Sequence, residues 1–222
     1  GTVAFPEMRQ AGIGLCVATQ LAGCMKPPAP VGSWNSPAEA RVMTQRQLAW
    51  YQAMEDEGEL RQVRSWKEVE QHLEGWHDDP ENAPIGYILS LEGADSLRTL
   101  ADLESSYEEG LRALGPAHYG KGRYALGHDQ DGPLSKKGKE LLSEMDRLGL
   151  ILDVTHLCDQ TFWETLDLFQ GPVWASHHNC RTLVDDPRQL ADEQIKALAE
   201  RGAVIGVAFD AWMVVPGWER GV

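Results

Sequence analysis

Three residues stand out because each directly follows an apolar-rich run: Glu92 after residues 85–91, His156 after 150–155 and His177 after 173–176. A carboxylate with two imidazoles is a ligand set for a borderline metal, and zinc suits it best. Each residue alone has an ordinary explanation. A histidine after a strand is commonly a hydrogen-bonded loop residue, and Glu92 before Gly93 could simply begin a helix. Three of them at three strand ends point instead to a metal site. His178 adjoins His177 but should face the opposite side of its strand. Cys158 lies two residues after His156 and could ligate as a thiolate, or pack at the start of the next helix. Asp210 follows the last apolar run in an equivalent position. His128 lies in a Gly-rich loop, and loops of that length in compact domains are often functional. Arg188 is either a surface charge or an anion hook, since a guanidinium grips carboxylates bidentately.

The elements that must position these side chains alternate. Apolar runs at 12–18, 85–91, 150–155, 173–176 and 203–209 predict strands. Between them lie amphipathic helices. Ser36-Pro37-Ala38-Glu39 and Ser65-Trp66-Lys67-Glu68 read as capping boxes. Further helices carry Leu97, Leu100, Leu103 and Tyr107; Leu141, Leu142, Met145 and Leu148; and Phe162, Leu166 and Phe169, the last of these capped by Asp159. A final helix spans 190–201. Residues 26–33 are rich in Pro and Gly and predict a loop, as do residues 115–133, with a short strand at 123–126. Strands that are apolar almost throughout, alternating with helices, predict parallel strands buried on both faces. That leaves a (β/α) barrel or an open doubly wound sheet. No Gly-x-Gly-x-x-Gly follows a strand, so a dinucleotide fold has no fingerprint. No linker divides the chain, so residues 1–222 are expected to form one domain. In a (β/α) barrel, Glu92, His156 and His177 would converge on one mouth.

Composition narrows the partners. The net charge of −14 repels a phosphate backbone, which excludes nucleic acid. No run of apolar residues is long enough to span a bilayer. Four cysteines in 222 residues are no disulfide framework, which suits a reducing, cytoplasmic location. The first residues, from Gly1 to Glu7, lack the basic and apolar regions of a signal peptide.

The segment 150–207 resembles the membrane dipeptidase (renal dipeptidase) family of zinc peptidases, and its bacterial branch more than the mammalian enzymes. The resemblance rests on Asp153-Val154-Thr155-His156, Ser176-His177-His178-Asn179, the run from Arg188 through Ile195, and Gly202-Ala203-Val204-Ile205-Gly206-Val207. Leu91-Glu92-Gly93-Ala94 is similar to the family's Leu-Glu-Gly segment. His156 and His177 are 21 residues apart and Arg188 follows His177 by 11, both as in the family.

The resemblance implies a (β/α)8 TIM-like barrel with two zinc ions, hydrolysing dipeptides by a hydroxide that bridges the metals, some with a D-residue at the C-terminal position. By it, Glu92 bridges both ions, His156 and His177 hold one of them, His128 binds or polarises the scissile carbonyl, and Arg188 binds the terminal carboxylate. A homodimer is expected from the family and from the general preference for symmetric dimers. Two departures matter. The family's first strand carries a metal-binding His-Xaa-Asp pair, and none precedes Gly12. Its last strand carries an Asp that the chain does not reach. About six of the eight strands are counted, so the barrel is expected to lack its first and last strands and the sequence to be part of a longer protein. Two other functions compete: a metal-dependent amidohydrolase acting on another small amide or lactam, and an inactive barrel relative used for binding.

Overall fold

The computed structural model describes residues 3–24 and 33–218. The loop expected over 26–33 lies outside them except for Ser33.

A short helix α1 (Phe5–Gln10) leads into β1 (Leu15–Leu21), and the two-residue strands β2 (Gly23–Cys24) and β3 (Ser33–Trp34) pair with each other. The long helix α2 (Pro37–Asp56) is followed by β4 (Leu60–Gln62), α3 (Trp66–Asp78) and β5 (Ile85–Glu92). Then the alternation is regular: α4 (Leu100–Glu108), β6 (Leu111–Gly115), α5 (Lys136–Leu148), β7 (Ile151–Asp153), α6 (Asp159–Leu168), β8 (Val173–His178), α7 (Asp192–Glu200), β9 (Val204–Val207) and the single turn α8 (Ala211–Val214).

Seven strands form one sheet in the order β1-β5-β6-β7-β8-β9, with β4 added alongside β5, and every pairing is parallel. Parallel neighbours joined by helices make this an α/β fold, a parallel-strand half-barrel. Among the described residues, β1 and β9 each have one strand neighbour. The strand ends of β5, β7 and β8 therefore lie on the same rim of the sheet.

Local chemistry explains the elements. The Ser36, Ser65 and Ser135 hydroxyls accept from the backbone N–H of Glu39, Glu68 and Gly138, satisfying donors that a helix start leaves open. Glu39 and Glu68 reach back to the N–H groups of Asn35 and Arg64, one residue earlier than in a standard capping box. Gly149 ends α5 in a left-handed conformation, φ 69°. The core runs along the sheet through Ile85, Tyr87, Leu89, Leu91, Leu114 and Leu152 against helix residues such as Leu103, Leu141, Met145 and Phe162.

Four expectations are corrected. Strands β4 and β6 were not predicted. Residues 123–126 form no strand; only single bridges join Lys121 to Leu126 and Gly127 to Leu157. Burial on both faces holds for β5 but not for β1 or β9, where Val17, Val204 and Val207 are exposed because each strand has an unpaired edge among the described residues. Finally, Asp159 is the first residue of α6, not its cap. Cys158 occupies the cap position, where its side chain caps no backbone N–H, and the Asp159 carboxylate binds Arg181 and Gln194 instead.

Candidate metal centre

Glu92 is the last residue of β5. Gly93 follows it with φ +79°, where a Cβ would stand 3.2 Å from the His118 Cβ. A side chain there would be strained by its backbone and crowded by its neighbour, so the turn that frees Glu92 needs glycine. His156 lies three residues beyond β7 and has φ 70°, a left-handed conformation that costs a non-glycine residue roughly 1–2 kcal/mol. Such strain persists where surrounding structure enforces it, and it clusters at functional sites. His177 is the penultimate residue of β8.

These three side chains meet. His156 Nε2 is 2.9 Å and His177 Nε2 3.2 Å from Glu92 Oε1. One ligand atom from each lies within 4.8 Å of the others. The far side of each ring is also held. His156 Nδ1 faces His128 Nδ1 at 3.3 Å, and His177 Nδ1 faces Ser176 Oγ at 2.8 Å. A histidine that ligates through Nε2 carries its proton on Nδ1 and needs an acceptor there, which both rings have. The donor set therefore fits a divalent metal such as zinc. Asp153 braces the site from below by accepting from the N–H groups of Thr155 and Ser176. A small cavity of ≈190 Å³ opens among Thr19, Ser90, Glu92, Asp153, Ser176 and His177.

The protonation states agree with metal binding. Burial pushes the Glu92 carboxyl up, but hydrogen bonds from His156 and His177 outweigh it and hold the group well below the usual carboxylate range. Burial pushes His156 down to about 3, and nearby Arg188 adds to the effect. His128 is pushed down to about 4 by burial and by Arg188. An ionised carboxylate and neutral imidazoles are the ligand forms.

Of the other predicted residues, His128 is buried behind His156 rather than beside Glu92. Arg188 is no surface charge. It is 2% exposed, its Nη2 donates to the His177 carbonyl at 2.9 Å, and it approaches His156 Nε2 at 3.5 Å. Among the described residues no carboxylate lies within ion-pair distance of its guanidinium. His178 faces away from Glu92, as strand alternation requires, and touches Arg188. Cys158 is buried with its thiol against Gly132 O and Thr161 Oγ1, outside the ligand cluster. Asp210 is exposed and makes no side-chain contact at the cluster.

Sequence reasoning passed over His118. It lies three residues after β6, and its Nε2 is 3.7 Å from Glu92 Oε1. Its ring lies 4.3 Å from that of His156, and burial pushes its pKa down. Tyr119 packs edge-on against His118 and His128, centroids 4.8 and 4.6 Å apart. Had β6 been recognised, His118 would have stood out as one more polar residue after a strand.

Known proteins resemble the chain in sequence and in fold. The sequence profile of the membrane dipeptidase family (peptidase family M19) matches residues 1–216. An uncharacterised protein from the PQQ-III 3′ region of Acinetobacter calcoaceticus is 33% identical over 135 residues, which are 57% of this chain and 43% of that protein. An uncharacterised dipeptidase of Schizosaccharomyces pombe is 32% identical over 147 residues, 63% of this chain and 35% of that protein. The solved metallopeptidase from Rhodobacter sphaeroides, liganded with a phosphinate mimic of L-Ala-D-Ala, superposes with a TM-score of 0.83 at 22% identity. That match covers 95% of this chain and 66% of the other. The chain thus spans less than half the length of these two sequence relatives.

Proposed function

The chain belongs to the membrane dipeptidase family (peptidase family M19), and from that premise we propose that it hydrolyses dipeptides bearing a free C-terminal carboxylate. The observation that carries this reading is Arg188, a buried guanidinium beside the metal-ligand cluster with no carboxylate partner among the described residues. Burying an ion costs several kcal/mol unless it is paired. A substrate carboxylate supplies the missing partner through a charge-assisted hydrogen bond. A longer peptide would bring an amide to the same position, so the reading favours dipeptides.

In this reading Glu92, His156 and His177 would hold one zinc ion, and Glu92 would also contribute to holding a second. A bound divalent metal supplies Lewis acidity, polarising the scissile carbonyl and lowering the pKa of a water. The chain's own residues do the rest. Ser176 and His128 fix the rings of His177 and His156 through their Nδ1 atoms. Of the two loop imidazoles, we assign the carbonyl to His118, because its Nε2 faces Glu92 and it is neutral. A neutral imidazole N–H aimed at the carbonyl oxygen stabilises negative charge that develops there. His128 was the residue expected in that role; its contact with His156 suits it to orienting the ligand. Arg188 fixes the substrate's register.

The proposed assembly is a homodimer, on the preference of soluble oligomers for twofold symmetry. The proposed location is the cytoplasm, supported by four cysteines that are all free. No helix among the described residues is long and apolar enough to cross a membrane.

The test is hydrolysis of L-Ala-D-Ala and L-Ala-L-Ala by the purified protein, each against its C-terminal amide. The expected result is turnover that stops with a chelator, returns with zinc and is much weaker for the amides. No turnover of any dipeptide, or equal turnover of dipeptide and amide, would overturn the reading.

A further inference from the structure

Next to the site lies a buried imidazole that takes no part in the proposed reaction. His178 is 4% exposed, and its Nδ1 is 3.3 Å from Arg188 Nη1. A guanidinium only donates hydrogen bonds. Nδ1 must therefore accept, and the proton of the neutral ring sits on Nε2. That Nε2 is buried and takes no hydrogen-bond partner among the described residues. An orphaned buried polar group costs about 1–3 kcal/mol, so an apolar side chain of similar size would suit this position better if packing were its whole task.

The contacts of Arg188 say what the ring does. Its Nη2 donates to the carbonyl of His177 and its Nη1 to the ring of His178. Both terminal nitrogens are thus held from one side, by consecutive residues at the end of β8. Without a carboxylate among the described residues to orient it, the fork depends on these two acceptors, the longer 3.5 Å approach of Nη2 to His156 Nε2 adding little. The carbonyl cannot be altered by substitution; the imidazole can.

We infer that His178 is a positioning residue for substrate recognition: it locks Arg188 in the orientation that receives the terminal carboxylate. The inference rests on the assignment of Arg188 to that carboxylate. It also accounts for the paired histidines. His177 faces the metal-ligand cluster, and His178, on the other side of the same strand, sets the residue that measures the substrate's length.

The experiment compares His178→Leu, His178→Asn and Arg188→Ala in the purified zinc-loaded protein, reading kcat and KM for a dipeptide and for its C-terminal amide. His178→Leu should lower the preference for dipeptide over amide by about tenfold, mainly through KM. His178→Asn, whose side-chain oxygen can accept where Nδ1 does, should restore most of that preference. In the Arg188→Ala background, His178→Leu should change the preference by less than about twofold, since the two residues act as one unit. A preference unchanged in His178→Leu, or one lost equally with and without Arg188, would overturn the inference.

A wild-type protein that turned over neither substrate would overturn the proposed function instead. The positioning contact would then be read from the imidazole ¹⁵N spectrum. His178 should hold its proton on Nε2 in the wild type and lose that fixed tautomer in Arg188→Leu. A tautomer independent of Arg188 would overturn the inference on its own.

Discussion

His156 Nε2 lies 2.9 Å from Glu92 Oε1 although their strands, β7 and β5, are separated in the sheet by β6. Glu92 ends β5 in register with Gly115 of β6, and the turn beyond β7 carries His156 back to it. Closure of the cluster thus depends on Glu92 as the shared acceptor of both imidazoles. Glu92→Gln keeps the shape and removes the charge. It should lose bound metal, measured by elemental analysis of the dialysed protein, and lower kcat/KM by about two orders of magnitude or more. Retention of metal and activity would remove Glu92 from the site.

The two loop histidines should separate by function. His128 touches His156, a proposed ligand, so His128→Ala should weaken metal affinity by about 10- to 100-fold in competition with a chromogenic chelator. His118 faces the carboxylate without entering the three-donor group, so His118→Ala should leave metal affinity within about threefold and lower kcat. The opposite pattern would exchange their roles.

The backbone of His156 offers a test that needs no activity. At φ 70° glycine is unstrained and alanine is not. With metal chelated, both His156→Gly and His156→Ala lose the same ring. The glycine variant should nevertheless be more stable by about 1 kcal/mol in urea unfolding. Equal stability would mean that the turn after β7 relaxes freely.

The three clustered residues were legible in the sequence because each follows an apolar run that reads plainly as a strand. Strand β6 was hidden for the converse reason. Leu111 and Leu114 continue the spacing of Leu100, Leu103 and Tyr107, so the pattern of α4 runs on, and only Gly110 at φ +109° breaks it. With β6 unseen, His118 lost its place after a strand, and His128 stood out in the same loop. Strand β4 carries one buried residue, Leu60, too little for a pattern. The burial of Arg188 was beyond any local reading, since a buried and a surface arginine are the same letter until the fold closes over one of them.

Away from the site, Asp102 should contribute a pH-dependent part of the stability. Arg98, through its guanidinium and its backbone N–H, holds the Asp102 carboxyl down to about 2. An unfolded aspartate titrates near 3.9. A depressed carboxyl stabilises the fold above its unfolded pKa, and the contribution is lost as pH falls from about 4 towards 2. Asp102→Asn should therefore have a lower urea midpoint than the wild type at pH 7, with the gap narrowing from pH 4 to pH 3. A gap independent of pH would mean that the loss is one of packing.

The loop that carries His118 and His128 is shaped by a close approach that admits only glycine. A Cβ on Gly127 would overlap the His118 carbonyl oxygen and stand 2.9 Å from Gly120 N and 3.0 Å from Asp129 Oδ1. The same residues close the loop, through Gly127 N to Gly120 O at 2.8 Å and Gly120 N to Asp129 Oδ1 at 2.6 Å. Gly149 provides the control. It has positive φ, which Gly127 does not, and a Cβ there meets nothing within 4 Å. Gly149→Ala should cost about 1 kcal/mol of stability and leave turnover intact. Gly127→Ala must push the loop outward. It should cost about 1–3 kcal/mol and lower kcat/KM by more than about tenfold, with metal content unchanged because the proposed ligands sit on β5, β8 and the turn after β7. If the two variants behaved alike, the loop would not be set by this contact, and the position of His118 opposite Glu92 would need another cause.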